Sequence, residues 1–319
     1  MAPHKKPRCL KLKPITLVNY GTAVGEFEDW CRSHRKLNII IGDVDRNLCC
    51  FITDLIEDAR GINEGSYAVY GWLALKADEN LPDRFLLPHA KAALNGWQSR
   101  YPGKTRVGFD LKLFDLFALR FARMGCFDAA SALLLSADGY FRPSEAIGLN
   151  GLDIICPNKF TKSRIWGVIT GNFDRGIATK NKSFDDTTLF NTPGREDVGT
   201  LMSWIARGKV GLDVALFPGL SLPKYEKAFN VVSKELDIKN LRITPHLARH
   251  SVASFDSLHK IRNKDEIRVR GHWKCPKSVD RYEKPGRMLI QNNRVPDRVW
   301  LLAENARAEC FSILKSHYK

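Results

Sequence analysis

The chain has 319 residues, long enough for two domains with cores of their own, and its 44% hydrophobic fraction is neither that of a disordered nor of a collagen-like polymer. No apolar run reaches the length of a membrane span, and the N-terminal "MAPHKKPRCLKLKP" lacks the apolar core of a signal peptide, so no membrane association and an intracellular location are expected. Fifty Lys/Arg against 35 Asp/Glu give a net charge of +15, which points to a polyanionic partner, nucleic acid before others.

Residues 1–13 read as a basic arm, with Lys5, Lys6, Arg8, Lys11 and Lys13 and no acid before Glu26. Residues 14–98 read as a small all-α domain. Apolar stripes at helical spacing run through Thr16–Cys31, through Leu48, Phe51, Ile52, Leu55 and Ile56 behind the start signals Asp43 and Asp45, through Tyr67–Ala77 and through Pro88–Trp97. Residues 99–108, with Pro, Gly and basic residues, read as a linker.

A second unit, 109–285, opens with one helical pattern from Phe109 through Phe114, Phe117 and Phe121 to Leu135. Short β-rich runs at Leu152–Ile155, Ile165–Thr170, Gly176–Thr179 and Thr187–Phe190 predict a small antiparallel sheet, so the fold class is mainly α with a small antiparallel β-sheet (α+β). Helices are expected again at Glu196–Arg207, Lys224–Leu236, Pro245–Leu258, Lys264–Arg270 and Pro276–Glu283. Residues 286–319 form a tail whose last periodic segment is Pro296–Leu314. The eight cysteines show neither a C-x-x-C pair nor metal-ligand spacing, and most are expected as reduced core thiols; no zinc site or disulfide framework is indicated.

Four stretches carry candidate chemistry. In "DGYFRPSEAIGL", Arg142 precedes Pro143, a favourable first helical residue, and Glu145 lies three residues on, placed to orient the guanidinium. In "GIATKNKSFDDTTLF" a strand–turn–strand pattern puts Lys180 and Lys182 at the turn. In "TPHLARHS" Thr244 and Pro245 start a helix, and spacings of three and four put His246, Arg249 and His250 on one face. In "RGHWKCPKSVDRYEK" Gly271, His272 and Trp273 lead to Tyr282, within ten Lys/Arg against four Asp/Glu from Lys260 to Arg287.

In this order, Arg-x-x-Glu, a hairpin lysine, H-x-x-R-H, then Gly-His and a tyrosine some ten residues on resemble the tyrosine recombinase (phage-integrase-like) family. The resemblance covers roughly Phe109 to Tyr282 as a tyrosine-recombinase catalytic domain, and the helical N-terminal region looks like that family's core-binding, DNA-binding domain. The last stretch is similar to eukaryotic mobile-element recombinases of the Crypton kind.

The resemblance implies a site-specific recombinase or integrase that cuts and rejoins double-stranded DNA through a 3′-phosphotyrosyl linkage. Tyr282 would be the nucleophile, Arg142 and Arg249 a clamp on the non-bridging oxygens, His246 a hydrogen-bond donor or proton shuttle, and Lys180 the general acid for the departing 5′ oxygen. The residue types suit a phosphodiester, whose negative oxygens and poor alkoxide leaving group need positive charge and a proton donor. The bond energy is kept in the phosphotyrosine, so no cofactor and no metal are required. Either His272 or Trp273 fills the place before the tyrosine, with His272 favoured as the phosphate contact and Trp273 as packing. Lys182 is second choice to Lys180. His250 is read as a buried support, Glu145 as an orienting partner, and Tyr318 is discounted as nucleophile.

The family's pattern further implies a homo-tetramer on DNA, a dimer of dimers, with Pro296–Leu314 docking on a neighbouring protomer or else packing on its own domain. Location would be the nucleus in a eukaryote, or the cytoplasm and nucleoid in a prokaryote. A type IB topoisomerase-like enzyme and a catalytically decayed, recombinase-derived DNA-binding protein are the competing readings.

Overall fold

The computed structural model describes residues 12–38, 40–77, 86–101, 108–158, 160, 164–179, 183–283 and 285–319. The chain forms two compact units, Met1–Thr105 and Arg106–Lys319.

The first unit holds α1 (Pro14–Ser33), α2 (Ile41–Glu57), α3 (Ile62–Leu75) and α4 (Pro88–Arg100). Its core gathers Phe27, Leu48, Ile52, Leu55, Val69, Leu94 and Trp97, the residues of the apolar stripes. The two start signals of α2 divide their work. Asp43 accepts from the Ile40 N–H at the entry to α2, whereas buried Asp45 accepts from the N–H groups of His89 and Ala90 and so caps α4. Pro88 at the first position of α4 has no N–H to satisfy, which leaves those two donors for Asp45.

In the second unit the expected single helix from Phe109 to Leu135 is two, α5 (Leu111–Arg123) and α6 (Phe127–Gly139). Gly125 stands between them at φ +73°, a left-handed conformation that stops a helix and that glycine adopts without strain. A short α7 (Pro143–Ile147) follows. The strands β1 (Ile154–Ile155), β2 (Gly167–Thr170) and β3 (Asp186–Leu189) make an antiparallel sheet in that order, with Val168 opposite Ile154 and Thr188. Gly176–Thr179 is not a strand, which corrects the expected strand–turn–strand. The partner of β3 is β2, and Asn172 and Asp185 hold the intervening segment as local turns, accepting from the Asp174 and Phe173 N–H groups. Lys180 and Lys182 lie outside the described residues; the Thr179 N–H donates to the Ser183 carbonyl on their far side.

The helices α8 (Asp197–Ile205), α9 (Leu222–Glu235), α10 (Pro245–Leu258) and α11 (Lys264–Arg270) follow. Where one helix was expected over Pro276–Glu283, the chain makes two 3-10 turns, Pro276–Ser278 and Asp280–Glu283. The tail forms α12 (Pro285–Asn292), α13 (Asp297–Ala303) and α14 (Ala306–Tyr318). The larger core of this unit joins the rings of Phe117, Phe121, Tyr225 and Phe229.

The tail packs on its own unit. Val299, Ala303, Ala306, Cys310 and Leu314 are buried in that core, and Arg307 reaches both Asp115 at 2.9 Å and Asp197 at 2.6 Å. Of the cysteines expected as core thiols, Cys31 and Cys310 are buried, while Cys50, Cys156 and Cys275 are exposed. Among the described residues no helix is long and apolar enough to cross a membrane.

Candidate active site

Arg142 sits just ahead of Pro143, with an extended backbone that hands its N–H to the first turn of α7. Glu145 closes that turn by accepting from the Arg142 N–H at 2.7 Å, and its other oxygen binds the Arg142 guanidinium. The same carboxylate lies 3.6 Å from Arg249, so Glu145 stands between two arginines.

Arg249 is only 2% exposed on α10, where Pro245 takes the first position and Thr244 the flanking one, though the Thr244 hydroxyl makes no capping bond. One Nη of Arg249 donates to the Tyr140 carbonyl and the other to the Gly271 carbonyl. The guanidinium lies 4.6 Å over the Trp273 ring. Burial, followed by the nearby Arg142, pulls its pKa down to about 10, against the opposing pull of Glu145 and Tyr282; it stays cationic at neutral pH.

Two left-handed residues frame this arginine. Tyr140 has φ +55° and His272 φ +50°, conformations that bulky side chains rarely adopt and that cost about 1–3 kcal/mol each. The first aims its carbonyl at Arg249; the second follows the Gly271 carbonyl that receives the other Nη. Gly271 is needed for close approach, because a Cβ there would lie 1.9 Å from the Trp273 ring.

Tyr282, in the turn Asp280–Glu283, is 3% exposed and belongs to a buried cluster with Tyr140, Val252, Ala253, Ile267 and Val279. Its ring centroid lies 5.0 Å from that of Trp273, and its hydroxyl 2.7 Å from His250 Nδ1. His250 is 7% exposed and meets the half-buried His246 edge-to-face at 4.9 Å. His272 turns the other way, with Nδ1 3.6 Å from Asp186 on β3. Burial lowers its pKa, Arg249 and Arg142 add to that, and Asp186 and Glu145 oppose it.

The structure therefore brings Arg142, Glu145, His246, Arg249, His250, His272, Trp273 and Tyr282 into one neighbourhood. Lys180 lies outside the described residues, and Tyr318 does not belong here, its hydroxyl being 3.2 Å from Ser131 on α6. Among the described residues no group of three or more His, Cys, Asp or Glu is placed to hold a metal ion.

Beneath the site lies an ion network that sequence patterns did not reveal. Asp256 is wholly buried and accepts from the Tyr140 hydroxyl at 2.6 Å, from Arg195 at 2.5 Å and from Arg262. Asp138 binds Arg270 at 2.9 Å and faces Arg195 at 3.5 Å. Arg262 and Arg270, both within the basic Lys260–Arg287 stretch, thus turn inward. The available sequence signal was Asp256 six residues ahead of Arg262, too common a pattern to single out.

No family model matches the sequence, and no curated protein does. Among solved structures, the XerH site-specific recombinase bound to difH substrate, in a pre-cleavage complex, aligns over 83% of this chain and 74% of its own at 13% identity, with a TM-score of 0.53. The fold is that of a tyrosine recombinase. XerH bound to palindromic difH substrate, in a post-cleavage complex, aligns over 84% of this chain and 73% of its own at 12% identity and a TM-score of 0.49. The 3-10 turn that carries Tyr282 lies beside α10, so Arg249 and Tyr282 meet across 33 residues of sequence through the Trp273 ring.

Proposed function

We propose that this chain cuts and rejoins double-stranded DNA as a site-specific recombinase, through a 3′-phosphotyrosyl intermediate on Tyr282. One observation carries the reading: a single indole, Trp273, touches both the Tyr282 ring and the Arg249 guanidinium, while Glu145 holds Arg142 beside that same arginine. A nucleophile and two fixed cations in one place suit a phosphodiester and little else in this mainly α unit.

Arg142 and Arg249 would bind the non-bridging oxygens and offset charge growing in the pentacoordinate transition state. Each Nη of Arg249 has two hydrogens, so its bonds to the Tyr140 and Gly271 carbonyls leave one on each for phosphate. His246 and His272 flank the clamp as donors, and Lys180 supplies the proton for the departing 5′ oxygen. Tyr282 and Arg249 are both sealed from solvent, so a phosphate reaches them only once the groups that cover the pair part on DNA binding. The helical first unit would add contacts to the duplex, and the +15 charge would supply much of the affinity. Assembly as a homo-tetramer would proceed through surfaces other than the buried face of α14.

The test is covalent capture. Protein is mixed without metal with a random-sequence duplex pool carrying nicks that let a cleaved fragment escape, then denatured. The expected result is a DNA adduct that Tyr282→Phe abolishes. DNA binding with no adduct points to a decayed site, and relaxation of supercoiled plasmid by a monomer points to a topoisomerase.

A further inference from the structure

The geometry points to His250 as the group that takes the phenolic proton from Tyr282 when the tyrosine attacks phosphate. This rests on the strand-cleavage reading above and assigns a role to a residue that H-x-x-R-H spacing alone makes a mere support.

Three observations carry it. His250 Nδ1 lies 2.7 Å from the Tyr282 hydroxyl, the reacting atom itself. Both residues are nearly sealed from solvent, at 7% and 3% exposure, so the contact is made in a low-dielectric setting where it is strong. The two rings lie 5.8 Å apart at 33°, and each is fixed from a different element, His250 by α10 and Tyr282 by the Asp280–Glu283 turn. With the imidazole proton on Nε2, Nδ1 is an acceptor and the phenol donates to it.

The step balances. The Tyr282 oxygen bonds to phosphorus and the P–O5′ bond breaks; the phenolic proton passes to His250 Nδ1, giving an imidazolium, and the 5′ oxygen takes its proton from the lysine proposed above as general acid. Rejoining runs the same path in reverse, with His250 returning the proton to the departing tyrosine. Among the described residues, the titratable and charged groups that face the pair include His246 on the same helix, at 4.9 Å ring to ring, and Arg249, whose charge acts on the Tyr282 phenol. A phenol with an ordinary pKa near 10 is almost wholly protonated at pH 7, so a base in contact with it speeds attack by roughly 10²–10⁴-fold.

The experiment measures the rate of adduct formation on the nicked random duplex pool from pH 5.5 to 9.5, for the wild-type chain and for His250→Gln. The expected wild-type rate rises with pH as His250 deprotonates and then levels. In His250→Gln the rate falls by roughly 10²-fold or more at neutral pH and keeps climbing with pH as the phenol itself ionises. A second variant separates proton transfer from mere support: placing a fluorotyrosine, a more acidic phenol, at position 282 restores much of the rate in the His250→Gln background. An adduct whose rate and pH profile are unmoved by His250→Gln overturns the role of His250 and leaves the nucleophile intact. A loss equal at every pH and not recovered by fluorotyrosine does the same, reducing His250 to packing. No adduct with the wild-type chain overturns the cleavage reading itself.

Discussion

The Tyr140 carbonyl accepts a hydrogen bond from the Arg249 guanidinium, although 109 residues separate the two. Tyr140 ends α6 in a left-handed conformation that turns this carbonyl inward, and its hydroxyl is tied at 2.6 Å to Asp256, itself held by Arg195 and Arg262. The arginine is thus oriented from below by a fixed carbonyl anchored to a buried ion network. Orientation before substrate arrives is what an electrostatic clamp needs, since a preset charge costs no reorganisation during the reaction.

Arg249→Lys tests that clamp. A lysine keeps the charge but not the planar fork, and it cannot serve the Tyr140 and Gly271 carbonyls together. Adduct formation is expected to fall by roughly 10²–10³-fold. Urea unfolding is expected to show a loss of about 1–3 kcal/mol from the buried carbonyl left unmet. An unchanged rate would mean that charge alone suffices.

Gly271→Ala tests the approach of Trp273. Its Cβ would lie 1.9 Å from the indole, so the ring that touches both Arg249 and Tyr282 must move. Denaturant unfolding should register a loss of about 1–3 kcal/mol, with a shift in tryptophan emission.

Stability at mildly acid pH depends on His272. Burial lowers its pKa in the folded chain, so the unfolded chain binds the proton more readily. This contribution is full above the ordinary value near 6.5 and is lost as pH falls below it. Melting temperatures measured from pH 8 to 5 should fall less for His272→Gln than for the wild-type chain.

Much of this was legible in advance, and the gaps have physical causes. Apolar stripes of period 3.6 located α1 to α4 because those helices bury one face each. The motif residues near α7 and α10 were readable because proline and threonine mark helix starts. The network of Asp138, Asp256, Arg195 and Arg270 was not, since partners far apart in sequence look like ordinary surface charge until the fold joins them. The tail left two partners open for a related reason. The stripe from Val299 to Leu314 says that a face is buried but not against what, and here it is the unit's own core.

That burial gives a further expectation at alkaline pH. Cys310, wholly buried on α14, has its thiol pushed up to about 12 by burial, so the folded chain keeps the proton that the unfolded chain sheds. The stability is full below about pH 9 and declines towards 12. Cys310→Ala should flatten that decline in thermal melts, and truncation before Ala306 should cost the second unit its cooperative unfolding.

The most direct test of the account is to locate the bond to DNA. After capture on the nicked duplex pool the adduct is digested with nuclease and protease, and the nucleotide-bearing peptide is sequenced by mass spectrometry. The expected product is a 3′-phosphonucleotide on the phenolic oxygen of Tyr282. A nucleotide on Tyr318 or on any other side chain would contradict it.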